Sequence, residues 1–437
     1  MNPGPHRRNA SRSADLYDRA VSVMPGGNTR TTVFTRPHPS YAARGAGPRV
    51  WDVDGRAYID LINNYTSLIH GHATPEIVAA ICEQAASGTC FSMPTESEIA
   101  LAELICARVA SVERIRFANS GSEGVMMAVK AARAFTGRAK IAKVEGSYHG
   151  SYDYMEVSED STPSNWGETQ PAKVPYSRGN APSMLDEVVV LPLNDLEQAD
   201  RILRRHGDEL AAVIVDPLAA RIGLIPAERD WLALMRRLCD QFGIVLISDE
   251  VISFRVARGG AQQAFGFRAD LTALGKIIGG GLPIGAVGGR ADIMRVFDPT
   301  GGKPDVPHGG TFNANPMTMI AGRVAMEMMT DEAYATLAEG GTRLAAGIVK
   351  ALADAGREGQ VSGLASLRRV HFNARPLRDY RSAYPTDPER EQMAAFYQGL
   401  LAAGVLMAPT GLMALSTATT ETVVDEAIHG VRCALGV

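Results

Sequence analysis

The sequence predicts an α/β protein: a mainly parallel central sheet with helices on both faces, plus a smaller α+β domain built from both termini. Three observations carry this. Between residues 114 and 289, short apolar runs of strand length alternate with helical stretches, the rhythm of parallel strands joined by helical crossovers. Residues 49–62 read instead as a β-hairpin, and beyond Asn315 the chain turns strongly helical with a few short strands. The length of 437 residues and 46% hydrophobic content are ample for one large core and a second, smaller one.

Taken in order, residues 14–23 have the apolar spacing of a short helix, stopped by Pro25-Gly26-Gly27. A loop carrying Arg30 follows. Val50, Trp51 and Val53 before Asp54-Gly55, and Tyr58, Ile59 and Leu61 after it, alternate as two strands joined by a turn-forming pair. Helices are predicted over 75–86 and 96–109. Candidate strands are 115–118, 141–144, 188–191, 212–215, 245–248, 271–273 and 286–287. The segment 156–181, rich in Ser, Pro, Gly and Asn, is a long loop within the domain, because strand-like sequence resumes after it; loops of that length are often functional. Helices over 316–329 and 331–355, strands near Ser362 and over 367–372, a helix to about Ala403, a strand over 413–416 and a final helix from Glu421 complete the chain. The division expected is an N-terminal segment, 1–62, contributing to a small domain, a large cofactor-binding domain over 63–315, and a C-terminal small domain over 316–437.

Charge narrows the function. With 44 basic and 48 acidic residues, well mixed, and a formal net charge of -4, no single-sign block exists to attract nucleic acid or an anionic membrane. Small-molecule work is expected. Five cysteines (Cys82, Cys90, Cys106, Cys239, Cys433) are scattered and lack CxxC spacing, which points away from a disulfide framework or a zinc site and toward a reducing compartment. Residues 1–13 are polar and basic without the apolar centre of a signal peptide, and no window reaches the length of a membrane span. A frayed N-terminus and a cytoplasmic location are the expectation.

Chemistry concentrates in residues 244–281. An apolar run ends in Asp249-Glu250-Val251, and about 27 residues on come Gly275-Lys276 and Gly279-Gly280-Gly281. A carboxylate ending one buried strand and a lysine ending another is the layout of pyridoxal phosphate chemistry: the lysine holds the cofactor as a Schiff base, and the acid keeps its pyridine nitrogen protonated. A carboxylate buried at a strand end needs a cationic partner, and burial lowers a lysine pKa and makes the amine nucleophilic. A solvated lysine at a strand end is the plainer alternative, opposed by the apolar neighbours Leu274, Ile277 and Ile278.

Three other motifs could serve that pair. Asn119-Ser120-Gly121-Ser122-Glu123 follows a strand and opens a helix, a junction whose free N–H groups bind anions but which, alone, is equally an N-cap. Gly146-Ser147-Tyr148-His149-Gly150 sets a tyrosine where it can lie on an aromatic ring, or simply half-buried in a turn; a lone His149 reads as a packing or supporting residue rather than a base. His308 to Pro316 places Thr311 in a glycine-rich loop before a helix, as a phosphate ligand or a helix-entry turn.

The order and spacing of these motifs together are specific. From about Val23 to its C-terminus the chain resembles the class III aminotransferases, fold type I pyridoxal phosphate enzymes, and within them the branch of glutamate-1-semialdehyde aminomutase and the β-amino acid aminotransferases. The resemblance implies pyridoxal 5'-phosphate as cofactor, with Gly121 and Ser122, and Ser120 beside them, at its phosphate. It implies Tyr148 on one ring face, Val251 on the other, Asp249 at the ring nitrogen, and Lys276 as the cofactor-bearing lysine that shuttles a proton. It also implies a homodimer in which Thr311 reaches the neighbouring subunit's phosphate. Arg30, in Pro25-Gly26-Gly27-Asn28-Thr29-Arg30, matches the arginine that holds a substrate carboxylate in this branch, and Tyr65 matches a pocket wall. The expected activity transfers an amino group from a carboxylate-bearing amine, such as a β-amino acid, to a keto acid; a 2,1-aminomutase is the alternative. Three departures stand out. Asp216-Pro217 replaces the usual Glu-Pro. Arg221 stands where a small or amide residue is common, and is open to two readings, substrate ligand or side chain directed away. The stretch Ala408-Pro409-Thr410-Gly411-Leu412 lacks both the acid of the aminomutases and the arginine of some β-amino acid aminotransferases.

Overall fold

The computed structural model describes residues 11–437. The basic segment read above as frayed lies outside the described residues as far as residue 10. The first helix, Arg12–Val21, starts earlier than its apolar spacing suggests. Ser11 caps it, and the N–H groups of Arg12 and Ser13 bond to Asp54 in the hairpin turn, so the helix start is fixed by a contact 42 residues away.

Seven strands form the central sheet, in the order Arg114–Ala118, Gly285–Gly289, Leu271–Gly275, Val245–Asp249, Leu210–Val215, Lys140–Val144, Val188–Leu191. Gly285–Gly289 runs antiparallel to both neighbours, and the remaining pairs are parallel. The runs read as strands lack polar alternation because both faces are covered. Val213, Val215 and Leu246 share a core with Leu203 and Trp231 of the helices Leu196–His206 and Arg229–Phe242. Their neighbours in sequence, Ala212, Ile214, Val245 and Ile247, pack with Val125 and Val129 of Gly121–Thr136 on the opposite face.

The predicted hairpin forms from Arg49–Asp52 and Ala57–Asp60. Two strands were not legible beforehand. Ala42–Ala46 pairs with Arg49–Asp52, and Val405–Leu406 lies parallel to Ala57–Asp60 with Val405 opposite Ile59, which joins the N-terminal segment to the C-terminal region in one sheet. The first is largely exposed and has no β-branched residue; the second is two residues long. A three-stranded antiparallel sheet (Gln360–Ser362, Leu367–His371, Leu412–Ala414) and the helices Asp331–Asp354, Asp387–Ala402 and Glu421–Leu435 complete the smaller unit. The helix Pro316–Met328 shares its core with Pro75–Ser87 and Glu96–Arg108.

The consequence for function is an edge. Arg114–Ala118, Lys140–Val144, Leu210–Val215, Val245–Asp249 and Leu271–Gly275 run in one direction, so Asn119, Glu145, Asp216, Glu250 and Lys276, the residues that follow them, emerge together. Ligands of such sheets gather outside the carboxyl ends of the strands.

Candidate active site

Asp249 ends the Val245–Asp249 strand and is buried. Both its oxygens are engaged: Oδ2 accepts from His149 Nδ1 at 2.7 Å, and Oδ1 accepts the backbone N–H of Val251 at 3.1 Å. His149, buried in the turn after Lys140–Val144, has its pKa lowered by burial against the pull of Asp249. The ring is therefore neutral, with its proton on Nδ1 toward the carboxylate, while Nε2 is buried without a hydrogen-bond partner. This bears out the supporting role expected of His149 and supplies the contact that sequence alone did not. Beside Asp249 lies Asp216, whose Oδ1 accepts from Leu218 N at 3.0 Å; burial and the neighbouring Asp249 push its pKa up to about 8. Glu250, next in the chain, faces away and accepts from Ala261 N, Gln262 N, Gln262 Nε2 and Ser248 Oγ, which anchors the helix Gly260–Phe265.

Lys276 follows the neighbouring strand, in a left-handed conformation with φ of 50°. Such a conformation in a side-chain-bearing residue costs about 1–3 kcal/mol and persists where the surroundings over-determine it. Burial lowers the Lys276 pKa; Asp249 and Asp216 oppose that shift, and the charge of Arg30 adds to it. The amine is poised to act as a nucleophile and a base closer to neutral pH than a free lysine.

The phosphate-loop motif resolves into two parts. Ser120 is the N-cap of Gly121–Thr136: its Oγ accepts from Glu123 N at 3.2 Å, while Glu123 Oε2 accepts from Asn119 N at 2.6 Å. The cap reading therefore describes its hydroxyl. Gly121 and Ser122 occupy the first turn, where N–H groups have no partner within the helix. A Cβ on Gly121 would lie 2.7 Å from Val251 Cγ1, so the missing side chain is what lets Val251 sit against the helix start. Gly150, at φ of 88°, similarly allows Ser122 to approach the Tyr148 turn, where Ser122 Oγ accepts from Ser151 N at 3.2 Å. The turn is fastened from beneath by Lys143, fully buried, whose Nζ donates to Ser147 O at 2.9 Å and Val157 O at 2.7 Å. Tyr148 itself remains 44% exposed. Thr311 is exposed in the loop 308–316, which is tied to the phosphate-loop motif by Asn119 Nδ2 donating to Asn313 Oδ1 at 2.7 Å and borders a cavity of about 740 Å³ with Cys90 to Thr95.

At the substrate end, Arg30 lies over the Tyr65 ring at 5.2 Å and donates from Nη1 to Asn64 Oδ1 at 2.8 Å. Tyr65 donates its hydroxyl to Thr32 O, which ties the arginine's loop to the same turn. That turn is unusual: Asn63, Asn64, Tyr65 and Thr66 have φ of 47°, 48°, 51° and 74°, one turn of left-handed helix. Asn63-Asn64, a pair that tolerates this region better than other side chains, was the available signal. Arg221 pairs with Glu159 and Asp160 at 3.3 Å each and lies over Tyr176, so it fastens the long loop 156–181. Thr410 lies exposed in the turn closed by Ala408 N to Leu412 O at 3.0 Å.

A carboxylate held at both oxygens, a lysine of lowered pKa and a helix start offering free N–H groups suit a phosphorylated pyridine aldehyde. The comparisons with known proteins agree. The pattern of the family "Aminotransferase class-III" matches residues 33–434. This chain is a class III aminotransferase. Such an enzyme uses pyridoxal 5'-phosphate and has fold type I. It is 38% identical over 427 residues to the glutamate-1-semialdehyde 2,1-aminomutase of Aquifex aeolicus, covering 96% of this chain and 98% of that one. Among solved structures, an omega-transaminase from Sphaerobacter thermophilus superimposes with a TM-score of 0.96 at 49% identity, over 98% of both chains. The β-phenylalanine aminotransferase of Variovorax paradoxus gives 0.87 at 36%, over 97% of this chain and 93% of its own. Among the described residues no helix is long and apolar enough to cross a membrane, and no cluster of His, Cys, Asp and Glu could hold a metal ion.

Proposed function

We propose that this class III aminotransferase takes its amino group from a carboxylate-bearing amine, a β-amino acid or a similar non-standard amino acid, and passes it to a keto acid. The observation that carries this reading is Arg30: a guanidinium stacked on Tyr65, whose charge adds to the lowering of the Lys276 pKa that burial causes. A planar guanidinium is what a carboxylate in the substrate requires.

When bound, pyridoxal phosphate supplies a sink for the electron pair left when a substrate C–H bond breaks. The residues of this chain do the rest. Gly121 and Ser122 would present N–H groups to the phosphate, and Val251 and Tyr148 would flank the ring. Asp249, fixed by His149 and by the Val251 N–H, would hold a proton on the ring nitrogen. Lys276 Nζ would hold the cofactor and carry the proton from the substrate carbon to the cofactor carbon. The exposed Thr311, and the exposed Phe91, Met93 and Phe312 around the same face, fit a homodimer in which Thr311 completes the neighbouring site.

A second reading, a 2,1-aminomutase acting within one molecule, is favoured by the names of curated relatives at 38–40% identity. Against it stands Thr410, where the aminomutase pattern carries an acid nearby. Acceptor dependence separates the two. Incubation of holoenzyme with β-amino acids should give turnover only when a keto acid is added. Isomerisation of glutamate semialdehyde without any keto acid would overturn the transaminase reading.

A further inference from the structure

The left-handed turn of residues 63–66, of which the sequence singled out only Tyr65, separates into a fixed side and a presenting side. Four consecutive left-handed residues cost about 1–2 kcal/mol each, a strain that persists only when surrounding contacts over-determine it. Those contacts all lie on one side. Asp60 Oδ1 accepts from Ile62 N at 2.9 Å and Asn63 N at 2.8 Å, and its Oδ2 pairs with His72 at 2.7 Å. Asn63 Nδ2 donates to Ala414 O at 2.7 Å. Arg255, fully buried, donates to Thr66 O and Ser366 Oγ at 3.0 Å each and to Leu415 O.

The opposite side presents Asn64 and Tyr65. Asn64 Nδ2 donates to Ser67 Oγ at 3.1 Å, which fixes the sense of the amide and leaves Oδ1 to accept Arg30 Nη1. The Arg30 backbone N–H is held by Asn28 Oδ1 at 2.9 Å, and its guanidinium face by Tyr65. Among the described residues Arg30 Nε and Nη2 take no hydrogen bond, and these two form the edge that binds a carboxylate in bidentate fashion.

We propose that Asn64 is a positioning residue that sets the enzyme's preference for carboxylate-bearing donors by orienting the Nε–Nη2 edge of Arg30. This rests on the donor class proposed above. A side chain at this position must tolerate positive φ, and glycine tolerates it without any side chain. Asn64→Gly therefore removes the amide while sparing the turn.

The test compares β-aminobutyrate with its carboxylate-free counterpart, sec-butylamine, on the holoenzyme. Asn64→Gly should lower the ratio of their kcat/KM values about tenfold, through KM for β-aminobutyrate. Asn64→Asp, which also tolerates the turn but pairs its charge with Arg30, should lower the ratio further. Calorimetric binding of butyrate, which needs no turnover, should weaken about tenfold in Asn64→Gly. Equal losses for both donors, or unchanged butyrate binding in a variant that keeps the wild-type Tm, would overturn the proposal. The aminotransferase reading is judged separately by the visible absorbance of wild-type enzyme with pyridoxal phosphate, so the two can fail independently.

Discussion

Asp249 and Arg30, proposed above as two ends of one site, are held in different ways. Asp249 sits at the end of a central strand, 4% exposed, with both oxygens engaged and a neutral histidine behind it. Arg30 is exposed in an N-terminal loop, held by one amide, one aromatic face and a backbone contact, with one edge left open. The buried end is insulated by the whole sheet and can change little without loss of the fold. The exposed end rests on a short strained turn, so one substitution can re-aim it. Chemistry built into a sheet edge and specificity built onto a surface turn can vary independently, as expected when function lives in sites placed on a shared fold.

Substitutions at the two ends should therefore fail in different ways. Lys276→Ala removes the amine proposed to bind the cofactor and move the proton. Turnover should fall at least about 10⁴-fold, with loss of the visible absorbance of lysine-bound cofactor; retained absorbance would show that the buried end was misassigned. Arg30→Ala should leave that absorbance intact while raising KM for carboxylate-bearing donors by about 10- to 100-fold, the worth of a charge-assisted hydrogen-bond pair. If sec-butylamine lost as much, Arg30 would belong with the structural contacts.

The smallest effect concerns the contact between the two units rather than either end. His371 Nε2 lies 2.9 Å from Ser362 Oγ and 3.2 Å from Gly223 O, on the loop that follows Asp216. Burial, and then Arg369, push its pKa down from 6.5 to about 4. The unfolded chain thus binds this proton between about pH 6.5 and 4 while the folded protein does not, so stability falls as pH drops through that window. The difference is worth up to about 3 kcal/mol by linkage. His371→Gln should flatten the decline of Tm over that range, and an unchanged slope would place the acid sensitivity elsewhere.

The two ends also differ in how far they were legible. Asp249, Lys276 and the Gly121 helix start were readable because each lies at a switch between periodicities, where an apolar run stops and a polar or glycine-rich turn begins. His149 was visible as a residue but not as the partner of Asp249, because the 100 residues between them are closed only by the strand order. Ser120 was read as both cap and phosphate ligand; its oxygen accepts the capping bond from Glu123 N, which leaves its O–H able to donate. Arg221 had two readings, and the structure pairs it with two acids of the 156–181 loop.

The sequence by itself determined the α/β class, the strands of the central sheet, and the acid and the lysine at their carboxyl ends. These follow from local patterns of burial and turn chemistry, which act over a few residues. Tertiary structure alone decided the parallel joining of Val405–Leu406 to Ala57–Asp60, the burial of Asp216 beside Asp249, and the left-handed turn whose Asn64 bonds to Arg30. Each of these depends on groups far apart in the chain, so that backbone strain at Asn63 to Thr66 is sustained by Arg255 and by the backbone of Ala414 rather than by any preference written locally.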